Sequence, residues 1–127
     1  MRRGLVLFAH GARDARWAEP FEAVAARARA QQPDWQVRLA YLELMSPTLA
    51  DAGRALVDCG CERIDIVPLF LGAGGHVRKD LPVLVDALRD AHPHVRWHLQ
   101  RPIGEQAGVI DAIALAATSQ LTDDLPT

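Results

Sequence analysis

The 127-residue sequence has few cysteines, no long apolar run and no large excess of one charge sign. Its two cysteines, Cys59 and Cys61, are too close in sequence to pair well with each other, and we interpret them as small packed residues. No apolar run approaches the roughly 20 residues of a membrane-spanning helix, and Leu5–Ala9 is too short for the apolar part of a signal peptide. The net charge of -2 gives no electrostatic reason to expect a nucleic acid. We therefore expect a cytoplasmic protein that binds neither membrane nor nucleic acid.

Strand-like and helix-like segments alternate along the chain, whose length fits a single domain. Leu5–Ala9 and the segment that begins at Ile64 are apolar on both faces, as central parallel strands require. Residues 35–42 and 95–99 alternate apolar and polar positions, as half-covered edge strands do. Segments with helical spacing of apolar residues follow the strands at 17–28, 49–57, 81–88 and 109–117. The alternation predicts a three-layer α/β fold with a mostly parallel four-stranded sheet, of order 2-1-3-4, and helices on both faces.

Prolines and polar residues suggest where these elements begin and end. Ser46-Pro47 resembles an N-cap followed by a first-turn proline, and Asp80 with Pro82 resembles the start of the next helix. Pro68 lies inside the predicted third strand, where a proline removes a ladder hydrogen bond, so we expect a bulge or an early end to pairing. We expect one domain over residues 1–121 and a flexible C-terminal tail over 122–127, which has little apolar content.

The predicted strands bring two histidines and a glutamate to one edge of the sheet. His10 follows the first strand, Glu43 follows the second, and His76 follows the third after a glycine-rich segment. In open parallel sheets, ligands bind beyond the carboxyl ends of the strands, near the reversal of winding between the first and third strands. Imidazoles with a carboxylate suit cobalt, nickel, zinc or ferrous iron better than magnesium or calcium. We predict a metal site at this edge, with His10 and His76 as ligands and Glu43 beside them.

Each of these residues also has a purely structural interpretation. Either histidine could form hydrogen bonds with neighbouring backbone only, and Glu43 could be a solvated carboxylate beyond an edge strand. A second histidine group, formed by His92, His94 and His98, is interpreted as solvated. His92 would lie at a helix C-terminus and the other two on the exposed face of an edge strand.

The motifs around the predicted site resemble those of the small CbiX-type sirohydrochlorin chelatases, a class of tetrapyrrole chelatases that works without ATP. The similar segments read LVLFAHGARDARWAEPFE, YLELMSPTL and VPLFLGAGGHVRKDLP, and the last is the most specific. Their order and spacing extend the resemblance from Gly4 to about Leu121. Family members often have serine at the position of Ala12, and the histidine-rich segment of some relatives is absent from this sequence.

The resemblance implies insertion of a divalent metal ion into sirohydrochlorin, with cobalt first and iron or nickel as alternatives, in cobalamin or sirohaem synthesis. It implies that His10 and His76 bind the metal and act in catalysis with Glu43, and that no cofactor is needed beyond the metal substrate. Larger family members contain two such domains around one cleft, so the resemblance also implies a homodimer whose carboxyl edges converge on the flat macrocycle. The residues expected to bind the substrate are Arg13, Arg16, Gly74, Gly75, Arg78 and Lys79.

Two other functions share parts of this pattern. A histidine phosphatase would also have His-Gly after a strand and a distant second histidine, but that class has arginine before the first histidine, where this chain has Ala9. A non-catalytic carrier of metal or tetrapyrrole would need the same ligands, so the sequence does not separate it from a chelatase.

Overall fold

Four parallel strands form one sheet in the computed structural model, which describes residues 2–123. The strands are β1 (Arg3–Ala9), β2 (Gln36–Tyr41), β3 (Arg63–Pro68) and β4 (Arg96–Leu99). Their order in the sheet is β2-β1-β3-β4, and all three neighbouring pairs are parallel. The predicted fold class and strand order are therefore confirmed.

Helices follow each strand, as right-handed parallel connections require. The α-helices are α1 (Glu19–Gln31), α2 (Leu49–Asp58), α3 (Gly75–Ala91) and α4 (Ala107–Asp123). Two short 3₁₀ segments, Ala15–Ala18 and Ile103–Glu105, precede α1 and α4.

Both faces of the sheet carry apolar side chains, because β1 and β3 lie in its centre. On one face, Phe8 and Ile66 are fully buried against Leu56 of α2 and Val85 of α3. On the other face, a smaller cluster joins β1 and β2 to α1, and its buried members are Leu7, Ala25 and Val37. The alternation of neighbouring strand residues between these two clusters explains why the central strands are apolar throughout.

Pro68 is the last residue of β3 and causes no bulge. It pairs in register with Phe8, and the next residue, Leu69, donates its N–H to the Phe8 carbonyl at 2.8 Å. Because successive backbone groups of a strand point to opposite sides, the missing N–H of Pro68 would point toward β4. Pairing with β4 ends at Ile66 and Leu99. The early end to pairing is thus confirmed, and the proline interrupts no ladder.

Two predicted helix starts are wrong. Thr48, not Ser46, caps α2, since its hydroxyl accepts a hydrogen bond from the Asp51 N–H at 3.2 Å. Helix α3 begins at Gly75 with Gly74 as its N-cap, so Pro82 lies inside the helix and not in its first turn. Glycines are poor helix formers and hid this start. As a result His76, Arg78 and Lys79 belong to α3 and not to a loop.

Helix α4 begins near its predicted start but receives little cover from the rest of the chain. Its residues up to Leu121 are exposed apart from Val109, which is half-buried. The backbone is helical through Asp123, so Thr122 and Asp123 of the predicted tail are part of α4, and residues 124–127 lie outside the described residues. Within residues 2–123, no helix is both long and apolar enough to cross a membrane.

Candidate functional site

His10 and Glu43 meet at the carboxyl edge of the sheet, just beyond the ends of β1 and β2. The His10 Nε2 atom lies 3.1 Å from the Glu43 Oε1 atom. Their side chains are 48% and 55% exposed, so a ligand can approach both. A carboxylate that holds one imidazole nitrogen fixes the ring and its tautomer, which is how metal-binding histidines are commonly oriented.

The backbone continues the β1–β2 ladder just far enough to set this pair. Leu42 donates its N–H to the Ala9 carbonyl at 2.9 Å, and Glu43 donates its N–H to the His10 carbonyl at 3.1 Å. Gly11 then turns away with φ of 98°, and a Cβ atom on it would overlap the carbonyl oxygen of Glu43. Gly11 is therefore required both by its left-handed conformation and by this close approach.

Glu43 is followed by a tight turn in a left-handed backbone conformation. Leu44 has φ of 64°, and Met45 donates its N–H to the Glu43 carbonyl at 2.8 Å, the bonding pattern of a γ-turn. A non-glycine residue in this region costs roughly 1–2 kcal/mol. Local strain of this kind is typical of functional sites, and here it adjoins the carboxylate that holds His10.

The His10 ring lies against the aromatic ring of Phe70. Its centroid lies 6.1 Å from that of Phe70 in an edge arrangement, and the Phe70 ring in turn lies 6.3 Å from Phe8. Phe70 is 9% exposed and belongs to the main core. The imidazole thus contacts the Phe70 ring and the Glu43 carboxylate, and 48% of the His10 side chain remains exposed to solvent.

His76 does not join His10 and Glu43 in a group of three potential metal ligands. It is exposed in the first turn of α3, and residues 69–74 separate that helix from β3. Among residues 2–123, no three histidine, cysteine, aspartate or glutamate side chains are close enough together to hold a metal ion. The structure therefore brings His10 and Glu43 together and does not add His76 to them as a third ligand.

The predicted substrate-binding residues follow the carboxyl ends of β1 and β3 in the chain, and some of their side chains already bind other residues. Arg16 is paired with Asp14 at 3.2 Å, and its hydrogen bonds lower the pKa of that carboxyl. Arg78 donates from Nε to the Ala73 carbonyl at 2.8 Å. Arg13 and Lys79 are exposed, while Gly74 and Gly75 have open space where a side chain would project. Exposed cations and an open backbone leave room for a large anionic ligand.

Sequence reasoning missed Arg101. Together with Arg78 it lines a cavity of about 240 Å³ beside the carboxyl end of β4, which Pro102 and Glu105 also line. Its position in the sequence could have indicated a place at the binding edge, since Arg101 follows the end of a strand closely, as His10 and Glu43 do. The roles of Phe70 and Gly11 were missed as well, because both depend on contacts between distant segments.

The remaining histidines, His92, His94 and His98, lie away from the His10–Glu43 pair, in and after the C-terminus of α3. His92 is the C-cap of α3, and its ring lies 6.0 Å from that of Trp97 in a tilted arrangement. Its carbonyl accepts a hydrogen bond from the Trp97 indole N–H at 3.3 Å. His94 and His98 are exposed. The residue directly before His10 is Ala9, whose buried methyl group supplies no positive charge where a histidine phosphatase has an arginine.

The family model for CbiX matches residues 4–119. The chain belongs to the CbiX family. It is 27% identical over 119 residues to the sirohydrochlorin cobaltochelatase of Sulfolobus acidocaldarius, and this match covers 94% of the chain and 93% of the relative. It is 26% identical over 113 residues to the sirohydrochlorin ferrochelatase of Bacillus subtilis. That match covers 89% of this chain but 43% of the relative, so this CbiX chain spans less than half the length of the Bacillus protein.

A solved structure supports the same assignment. The crystal structure of a CbiX protein from Marinobacter aquaeolei superposes with a TM-score of 0.86 at 34% identity, over 96% of this chain and 99% of that one. The Sulfolobus and Bacillus relatives of this CbiX chain are both named as chelatases of sirohydrochlorin, and their names differ in the metal.

Proposed function

We propose that this CbiX chain inserts a divalent metal ion into sirohydrochlorin, with cobalt as the first candidate and iron or nickel as alternatives. The observation that carries the proposal is the His10–Glu43 pair, held at 3.1 Å where a ligand can reach it. The cobaltochelatase of Sulfolobus acidocaldarius, matched over nearly its whole length, favours cobalt, and the ferrochelatase of Bacillus subtilis supports iron as the alternative.

The pair has the chemistry that insertion needs. One divalent ion replaces two pyrrole N–H protons, so two protons must leave the ring as the metal enters. When His10 donates its Nε2–H to Glu43, its Nδ1 atom keeps a lone pair that can hold the metal or accept a proton. The Glu43 carboxylate can accept the second proton, and the exposure of both side chains lets the protons pass to water.

In this proposal, a second histidine also binds the metal. Cationic residues bind the peripheral groups of the substrate. His76, in the first turn of α3, is the second metal-binding histidine in this proposal. The exposed guanidinium and ammonium groups of Arg13, Arg78 and Lys79 suit the peripheral carboxylates of the macrocycle, whereas Arg16 is already held by Asp14. Gly74 and Gly75 let the ring approach the backbone.

The test follows the absorbance of sirohydrochlorin with cobalt, ferrous or nickel ions, with and without the protein. We expect the protein to raise the rate above that of the metal alone, most with cobalt. His10→Ala and His76→Ala should each lower the protein-dependent rate by roughly 100-fold or more, since each removes a group that handles the metal or a proton.

His94→Ala is the matched control, because His94 is also an exposed histidine but lies in the turn between α3 and β4. It should keep the full rate. If the wild-type protein does not accelerate insertion, the proposed chelatase activity is wrong. Tight binding of cobalt or sirohydrochlorin without acceleration would instead identify a carrier.

A further inference from the structure

The cavity of about 240 Å³ beside the end of β4 lies at the same edge of the sheet as the His10–Glu43 pair. Its walls come from the segments that follow β3 and β4, and we refer to it as the rim cavity. Its charged lining residues are Arg78, Arg101 and Glu105, and the other lining residues are apolar. Small apolar cavities with a few charged groups are typical places for a polar substituent of a ligand.

The backbone around Arg101 is fixed, while its side chain is available. On one side, Gln100 donates its N–H to the Ile66 carbonyl at 2.9 Å, and on the other, Gly104 donates its N–H to the Phe70 carbonyl at 2.9 Å. The exposed guanidinium of Arg101 forms no hydrogen bond or ion pair with the described part of the chain. All of its donors can therefore bind a ligand.

Arg78 supplies the second cation of the rim cavity. Its Nε atom donates to the Ala73 carbonyl at 2.8 Å, which restrains the side chain and leaves both terminal NH₂ groups for a ligand. The two guanidinium groups outnumber the Glu105 carboxylate, so the rim cavity has an excess of positive charge. Guanidinium groups bind carboxylates through two parallel hydrogen bonds, and the apolar walls strengthen the attraction by lowering the local dielectric constant. The rim cavity therefore suits a carboxylate.

Phe70 connects the rim cavity to the His10 side of the site. Its ring lies 6.1 Å from the His10 ring, and its carbonyl accepts the N–H of Gly104 in the segment that carries Arg101. Only β3 separates β1 from β4 in the sheet, and neighbouring strands are about 4.8 Å apart, so the ends of β1 and β4 are roughly 10 Å apart. A tetrapyrrole carries its carboxylates several ångströms outside its central nitrogens. A ring centred over His10 can therefore place a peripheral carboxylate in the rim cavity.

We infer that Arg101, together with Arg78, binds a peripheral carboxylate of the tetrapyrrole substrate in the rim cavity. The inference rests on the proposed function for the identity of the substrate. Arg101 contacts neither the metal nor the central nitrogens in this arrangement, so it contributes to substrate affinity and not to the insertion step. Glu105 lines the same cavity and opposes the interaction, because its negative charge repels the carboxylate.

The test measures the Kd of the full-length protein for sirohydrochlorin without metal, from the absorbance change on titration, and in parallel the KM and kcat of cobalt insertion. Arg101→Ala should raise Kd and KM about tenfold and change kcat by less than about threefold, the pattern for loss of an interaction that is equal in ground and transition states. Arg101→Lys should raise Kd only about threefold, because lysine keeps the charge and loses the bidentate contact. Glu105→Gln should lower Kd about twofold, a gain of affinity that a purely structural role of Arg101 does not predict.

Arg96→Ala is the matched control, because Arg96 is also exposed but lies at the opposite end of β4. This variant should keep the wild-type Kd and KM. Wild-type affinity in Arg101→Ala, weaker binding in Glu105→Gln, or an equal loss in Arg96→Ala each overturns the inference.

The two measurements separate this inference from the proposed function. If sirohydrochlorin binding depends on Arg101 but the wild type inserts no metal, the rim cavity stands as a binding site and the proposed chelatase activity is refuted. If the wild type accelerates insertion and Arg101→Ala has an unchanged KM, the proposed function stands and the inference about Arg101 is wrong. A wild type that does not bind sirohydrochlorin overturns both.

Discussion

The carbonyl oxygen of Glu43 fills the space that a side chain on Gly11 would occupy. This contact ties the residue after His10 to the residue that holds the His10 ring, so the glycine of the His-Gly motif has a direct physical role. The orientation of the imidazole depends on it because the backbone carbonyl and the carboxylate of Glu43 belong to one short turn.

Gly11→Ala should therefore impair both stability and metal insertion. Gly60→Ala is the control, since Gly60 also has a positive φ, of 87°, but has nothing within 4 Å of a new Cβ. The control should lose about 1–2 kcal/mol of unfolding free energy from backbone strain and keep its activity. Gly11→Ala should lose more, because it also displaces the Glu43 carbonyl. Urea unfolding and the insertion assay measure both effects, and equal losses in the two variants would contradict this role.

Asp65 should make folding sensitive to acid. Burial opposes ionisation of this carboxylate, but hydrogen bonds from Arg63 and Gln100 and the charges of Arg63 and Arg3 outweigh it and lower the pKa below the ordinary 3.8. A lowered folded-state pKa gives stability that is present above the unfolded value and is lost as pH falls through the folded one.

Asp65→Asn should thus cost about 1.5–3 kcal/mol at pH 7, the range for hydrogen bonds to a charged group. The difference from wild type should shrink below about pH 4, where the unfolded carboxyl takes up its proton. Asp86→Asn removes an exposed carboxylate paired with Arg89 and should change stability by under about 1 kcal/mol. Urea unfolding between pH 3 and 7 checks this, and a difference that does not vary with pH would contradict it.

Thr48 should stabilise α2 as its N-cap. Thr48→Ala removes the hydroxyl that accepts the Asp51 N–H and should cost about 1 kcal/mol. Ser46→Ala, at the position that the sequence pattern favours, should change the unfolding free energy by less than half of that amount. Thermal or urea unfolding of the two variants compares them directly, and a larger loss for Ser46→Ala would show that the cap is assigned to the wrong residue.

Cys61 should react slowly with alkylating reagents in the folded protein. It is 3% exposed, and burial raises the pKa of its thiol, so little of the reactive thiolate forms near neutral pH. Cys59 is half-buried and should be modified first. Iodoacetamide labelling followed by peptide mass spectrometry measures the two rates, with urea-unfolded protein as the control in which they converge. Equal rates in the native protein would show that Cys61 is not enclosed.

The strand order could be predicted because the pattern that sets it is local. Strands apolar on both faces belong in the centre and alternating strands at the edges, and the order follows from that difference. The meeting of His10 with Glu43 follows from the order, since the two residues end neighbouring strands. What could not be predicted depends on tertiary contacts or on weak local signals. Gly75 gave no sign of a helix start, and the periodicity of α4 showed that it is apolar but not what covers it.

The central claim is that His10 and Glu43 act as a unit in metal insertion, and a double-mutant cycle tests it most directly. The cycle compares the rate of cobalt insertion into sirohydrochlorin for wild type, His10→Ala, Glu43→Gln and the double variant. Because Glu43 acts in part by holding His10, the double variant should lose clearly less, on the free-energy scale, than the sum of the two single losses. If the losses of the two single variants add in full on the free-energy scale, the two residues act separately and the account is contradicted.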